Sequence, residues 1–255
     1  MVKSLVSLVA VMVGFCLIAA LPSPAASQDT KAPGGYSWTG FYAGLNAGYS
    51  FSANNTDKLS PVSSNLFPAF TAGAVAQPGS LGQSGFIGGG QMGYNYQFKK
   101  HWLTGLEIDF QYTDIRDSSD RTSTIPPFAN TNVHQNLSWL GTVRPRIGYI
   151  PTSRLLLYAT GGPAWGRTNS SASIVDAVGE YFCGSSASMR TGWTAGAGLE
   201  WAFMNNFSLK AEYLYYDLGS DTVHVFTVVA VQPSLMVARV QTTGNILRVG
   251  FNYKF

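Results

Sequence analysis

The residues best suited to chemistry come in pairs two apart. Glu107 and Asp109 flank one residue, Arg144 and Arg146 another, Lys210 and Glu212 a third, while Glu200 and Arg248 stand singly. A spacing of two puts both members of a pair on one face of an extended chain. The set has four acids and four bases, so its charge balances. Brought together, such groups could transfer protons, line an ion path, or neutralise one another. Catalysis would need a nucleophile and a base within hydrogen-bond reach. The histidines are His101, His134 and His224, with Ser138 and Asp221 not far along the chain, and no acid–base–nucleophile spacing stands out. Cys183 is the one thiol outside the N-terminal apolar stretch that holds Cys16, so no disulfide and no Cys/His metal cluster is expected. Gly88-Gly89-Gly90 resembles a phosphate loop only in composition, because no helix is expected after it. No catalytic, cofactor or metal site is therefore assigned. The open readings are a narrow ion path and a structural salt-bridge plug, and the charge balance favours the plug.

Those charges need strands to hold them. From Leu247 to Phe255 the chain alternates, with Leu247, Val249, Phe251, Tyr253 and Phe255 on one side and Arg248, Gly250, Asn252 and Lys254 on the other. The same period of two gives strands over about 41–51, 84–98, 102–112, 136–150, 155–167, 189–203, 207–215 and 245–255. Long Ser/Thr/Asn/Pro-bearing connections, at 52–83, 114–134, 168–188 and 219–237, alternate with short turns at 99–101, 151–153 and 204–206. Val223 to Val231 is apolar enough to extend a neighbouring strand. Pro145 and Pro163 fall inside strands, where a paired ladder normally rejects them. The phase of the fifth strand is ambiguous, because Leu155, Leu156, Leu157 and Tyr158 run together. No 20-to-50-residue repeat is visible.

Composition indicates which face points outward. Charged residues make up 11% of the 255, against about 25% in ordinary soluble domains, and aromatic residues 13%, with 28 Gly and 13 Tyr. The mean hydropathy is only slightly positive, which suits a wall alternating between lipid and lumen. Net charge is +3 and scattered, which gives no nucleic-acid footprint. On a lipid face each midplane Arg or Lys would cost roughly 2–4 kcal/mol, so the ionised phase should face inward. The apolar phase carries Trp102, Trp201 and Phe255 toward the short turns and Tyr49, Trp139 and Trp193 toward the long connections, as two aromatic girdles would. Residues 1–27 have Lys3, the apolar core Leu5 to Ala20, and a small-residue region suited to cleavage after Ala26 or Ser27. They read as a signal peptide. Residues 28–35 form a short periplasmic lead and 36–255 the barrel.

The expected fold is therefore all-β: an eight-stranded antiparallel transmembrane barrel in the outer membrane, with four long extracellular loops and short periplasmic turns. Trp38-Thr39-Gly40-Phe41-Tyr42-Ala43-Gly44 with Asn46-Ala47-Gly48-Tyr49, and Tyr158-Ala159-Thr160-Gly161-Gly162 with Ala164-Trp165-Gly166, resemble strands of the small alphaproteobacterial outer-membrane β-barrel proteins. These are relatives of the OmpA transmembrane domain, often labelled porin family or outer-membrane immunogenic protein. The resemblance implies a surface-exposed protein set in outer-membrane lipid and lipopolysaccharide. It also implies that Phe251, Tyr253 and Phe255 form the ending read by the barrel-assembly machinery. Some relatives carry a peptidoglycan-binding domain after the barrel; this chain stops at Phe255, so that tethering role is not expected. The expected role is structural and surface-exposed, through envelope integrity and loop contacts, although the loops show no ligand motif. A small diffusion porin is the alternative, and a lipid A-modifying enzyme comes third.

Overall fold

The computed structural model describes residues 36–255 except 53–57, 76, 78–81, 83, 126–127, 176–178, 180 and 230–233. The signal-peptide and lead segments lie outside the described residues. Among the described residues, nine strands form one antiparallel sheet: β1 (Gly40–Ser52), β2 (Lys58–Pro61), β3 (Gly85–Phe98), β4 (Trp102–Thr122), β5 (Asn130–Thr152), β6 (Leu155–Val175), β7 (Tyr181–Trp201), β8 (Phe207–Val229) and β9 (Leu235–Lys254). The order is β1-β3-β4-β5-β6-β7-β8-β9, and β9 pairs back onto β1 from Tyr42↔Lys254 to Ser52↔Gly244. This closure leaves neither β1 nor β9 as a free sheet edge.

The strand count differs from the eight expected of the sequence. β2 falls in an expected loop; it pairs with the far half of β9, Lys58↔Arg239 to Pro61↔Met236. Behind it come a 3-10 turn, Ser64–Leu66, and a short helix, α1 (Phe67–Thr71). The expected loops 114–134, 168–188 and 219–237 are also largely strand, because β4 to β9 run on well past their predicted ends. Phase changes hide two of these extensions, whereas β6 and β7 keep a single inward phase through small and polar residues. In β5 the inward residues are odd-numbered from Thr131 to Leu137 and even-numbered from Leu140 to Ile150, across a register shift at Leu137/Trp139. In β8 the inward set changes from Leu218 to Asp221 across a bulge at Gly219, whose φ of 77° suits glycine. A bulge breaks a period-two pattern without ending the strand.

Pro145 and Pro163 lie together. β5 and β6 are unpaired between Thr142↔Ala164 and Arg146↔Thr160, so both prolines sit in one short gap. Each still matches its other neighbour, Leu106↔Pro145 and Pro163↔Trp193. The fifth-strand phase is also settled: Leu156 and Tyr158 are buried, and Leu157 is exposed.

The interior is layered. At the short-turn end Trp38 turns in under the barrel, packs with Leu103, Ile150, Leu156, Tyr158 and Ala202, and donates its indole N–H to Ser153 O (3.2 Å). Next comes the charged layer. Above it lies an apolar layer including Ile87, Leu137, Leu140, Leu214, Tyr216 and Ile246. The far end is filled by Leu59, Val133, Ile174, Phe182, Val225, Met236 and others. Outside, Leu45, Leu106, Ile108, Ile147, Leu199 and Val249 form an exposed apolar collar. It is bounded by ring pairs Trp102–Tyr149 and Phe207–Phe251 at one rim and Tyr49–Phe86, Phe110–Trp139 and Trp193–Tyr215 at the other.

Candidate functional site

The charged layer is built by strand register. Tyr42, Gly93, Glu107 and Arg144 are successive cross-strand partners on β1, β3, β4 and β5. Tyr158, Gly198, Glu212 and Arg248 are successive partners on β6, β7, β8 and β9. One row of four residues thus occurs twice, once in each half of the ring. In both rows the tyrosine lies over the glycine and donates its hydroxyl to the glutamate: Tyr42 to Glu107 Oε2 (2.7 Å) and Tyr158 to Glu212 Oε1 (2.9 Å). A Cβ on Gly93 or Gly198 would collide with that phenol, so the reach requires glycine.

The remaining cations obey a related rule. Arg146 is the register partner of Gly105 in the first half, and Lys210 the partner of Gly250 in the second. Each long side chain passes over a glycine to cross the lumen. Arg146 Nη1 is 3.2 Å from Glu200 and 3.5 Å from Glu107, and its guanidinium lies over the Tyr42 and Tyr158 rings at 4.7 and 5.3 Å. Lys210 Nζ is 2.8 Å from Glu107, on the opposite wall, and 3.9 Å from Glu212. Lys210 is the register neighbour of Glu200 but is bonded elsewhere.

All eight charged residues singled out by the sequence are in this layer, and each is at most 3% exposed. Glu107 faces Arg144 (2.6 Å), Lys210, Arg146 and Arg248 (3.6 Å). Asp109 binds Arg144 (2.6 Å) and Arg248 (3.1 Å), and accepts from Thr142 and Gln111. Glu212 accepts from Arg248 Nε (2.6 Å) and lies 3.2 Å from Arg144 Nη1. Glu200 accepts from Asn252 (3.0 Å) and Ser208. Neutral residues finish the layer: Asn95 Oδ1 accepts from Arg146 (2.6 and 2.8 Å), and Asn46, Gln91 and Asn252 are linked in series. Tyr42, Asn46, Gln91, Asn95, Gln111, Thr142, Tyr158, Ser208 and Asn252 are members that charge alone misses; their inward phase is the available signal. Every carboxylate has a cation partner, and the residues span both walls. The arrangement neutralises charge within the lumen.

The other candidates are dispersed. His101 is at the short-turn end, with Nδ1 3.0 Å from Ile150 O; His134 and His224 are exposed on the far strands. Among the described residues no group of three metal-ligating side chains is assembled. Cys183, expected in a loop, is a half-buried residue of β7. Gly88–Gly90 lie inside β3. Phe251, Tyr253 and Phe255 are exposed on the outer face.

A closed antiparallel ring, apolar and aromatic-banded outside and ionised inside, defines a β-barrel of the outer-membrane class. The family described as outer membrane protein beta-barrel domain matches residues 13–255, and the chain belongs to that family. It is similar to the 31 kDa outer-membrane immunogenic protein of Brucella melitensis, with 39% identity over 90% of this chain and 89% of the relative. It is also similar to the 25 kDa outer-membrane immunogenic protein of Brucella abortus, with 29% identity over 86% and 80%. Among solved structures, OprG of Pseudomonas aeruginosa aligns with 85% of this chain and 96% of its own, at 12% identity and a TM-score of 0.49. The protein is thus located in the cell outer membrane.

Proposed function

We propose that the protein is a structural, surface-exposed barrel whose lumen is plugged. The ring that crosses the membrane comprises β1 and β3 to β9, with β2 outside it. The observation that carries this reading is the charged layer, in which four carboxylates and four cations, all buried, neutralise one another across both walls. A ring of this size leaves room for little more than side chains. A conducting path would have to displace these pairs and the apolar layers on either side.

In this reading the short turns face the periplasm, and the long far ends of the strands with their connections face outward. The immunogenic relatives support exposure of those far ends. Residues 1–27 serve export, residues 28–35 are the lead, and lipid and lipopolysaccharide surround the collar. Phe251, Tyr253 and Phe255 serve as the assembly signal, which their exposure on the last strand supports. The protein works without an enzymatic step.

Planar-bilayer recording on the refolded barrel tests this. The expected trace has no persistent, sizeable conductance; steady channels from the unaltered protein would make it a diffusion porin.

A further inference from the structure

The barrel wall is not laced all the way round. β7 and β8 pair at Cys183↔Phe226 and again from Trp193↔Asp217 downward, with no ladder pair in between. Over that stretch each strand keeps its other neighbour, β6 or β9. The seam between Ser185 and Thr191 is roughly 20 Å long at strand rise. It begins at Trp193, one of the rim aromatics, so it lies beyond the apolar collar.

The bulge in β8 gives the seam a cause. Asp217 accepts from the Gly219 amide (2.8 Å), and the strand resumes in the opposite phase. Side chains then do what the ladder does elsewhere. Arg190 donates to Asp221 and, from Nη1, to the Ser220 carbonyl (3.0 Å); Ser188 Oγ donates to Asp221 Oδ2 (3.0 Å). Solvent also reaches the wall here. Inward-phase residues of β7 from Gly184 to Gly192 are only half-buried, whereas Thr168 and Ser170 beside them on β6 are fully buried.

Behind the seam lies a polar layer between two apolar ones. Gln135 donates to Thr242 across it (2.7 Å), and Ser170 Oγ is buried without a protein partner. An unpartnered buried hydroxyl costs stability, and the geometry accounts for it if something polar can reach it.

We propose that the β7–β8 seam is a side entrance to this inner polar layer, latched by the Arg190–Asp221 pair. The solute class it suits is small, uncharged and rich in hydroxyl or amide groups, because the lining offers hydroxyls and one amide. The charged layer and the apolar layer above it close the way further down, so the entrance leads to a niche and not a pore.

Thiol accessibility of the refolded full barrel tests the proposal. In a Cys183→Ser background, Ser170→Cys is exposed to methyl methanethiosulfonate, with Thr242→Cys as a second reporter in case the first does not fold. Ile246→Cys, in the apolar layer below, reports global loosening. Both polar-layer thiols are expected to react in the folded protein, and D221N or R190Q to speed them about tenfold while the thiol of Ile246→Cys stays inert. Three outcomes would overturn the idea. One is polar-layer thiols inert until heat denaturation, another is rates indifferent to the latch, and the third is equal acceleration in the Ile246→Cys variant.

Discussion

At the scale of single residues, the charged layer depends on who faces a glycine. Tyr42 and Tyr158 do equivalent work in the two halves, each giving one hydrogen bond to a buried carboxylate. Bonds to charged groups contribute about 1.5–3 kcal/mol. Y42F and Y158F should therefore each lower stability by about that amount, and by similar amounts, in urea unfolding of the bilayer-refolded protein. A large inequality would mean the repeated row is geometric only. The pairing of a long cation with glycine gives a sharper test. K210G removes a buried cation; adding G250R rebuilds the Gly105–Arg146 arrangement in the second half. The double variant should recover at least half of the stability lost in K210G, a coupling that independent sites would not show.

At the scale of elements, each strand must satisfy two environments. Val249 is 58% exposed on the collar, while Arg248 beside it is buried in the lumen. V249R puts a cation on the lipid side and should cost about 2–4 kcal/mol near the midplane, read from the shift in urea midpoint. The same change on the far extensions, beyond the rim aromatics, should cost much less. The last strand carries a separate expectation. Deleting Phe255 should reduce the amount of folded barrel assembled in cells while leaving unfolding of the purified protein nearly unchanged. Equal loss in both measurements would make Phe255 a packing residue and not an assembly signal.

At the scale of the whole molecule, the ring is closed by Tyr42↔Lys254 and its neighbours and filled in layers. Filling and closure support one another, because Lys210 ties β8 to β4 on the opposite wall and Arg146 ties β5 to β7. Removing one partner leaves a buried charge uncompensated, which typically costs about 3–5 kcal/mol. R146A should thus lower the urea midpoint markedly while single-channel recordings stay silent. Conductance appearing with little loss of stability would turn the plug into a gate.

Alternation alone determined which side chains share a face. It placed Glu107, Asp109, Arg144, Arg146, Glu200, Lys210, Glu212 and Arg248 in one phase, and charge scarcity with aromatic rims indicated that this phase points inward. Such inferences are local, and a two-residue period carries them. The far extensions of β5 and β8 read as loops because bulges at Leu137/Trp139 and Gly219 reset the period, and a reset pattern looks like no pattern. Those of β6 and β7 keep their phase but carry mostly small and polar residues on both faces, so no apolar face marks them. The twice-occurring Tyr–Gly–Glu–Arg row was invisible for another reason. Its members are scattered over four strands in each half and become neighbours only through register. Ion-pair partners likewise needed the closed ring, since Lys210 passes over its ladder neighbour to reach a carboxylate on the far wall. One strand's sequence sets its faces; the distance across a lumen belongs to all the strands at once.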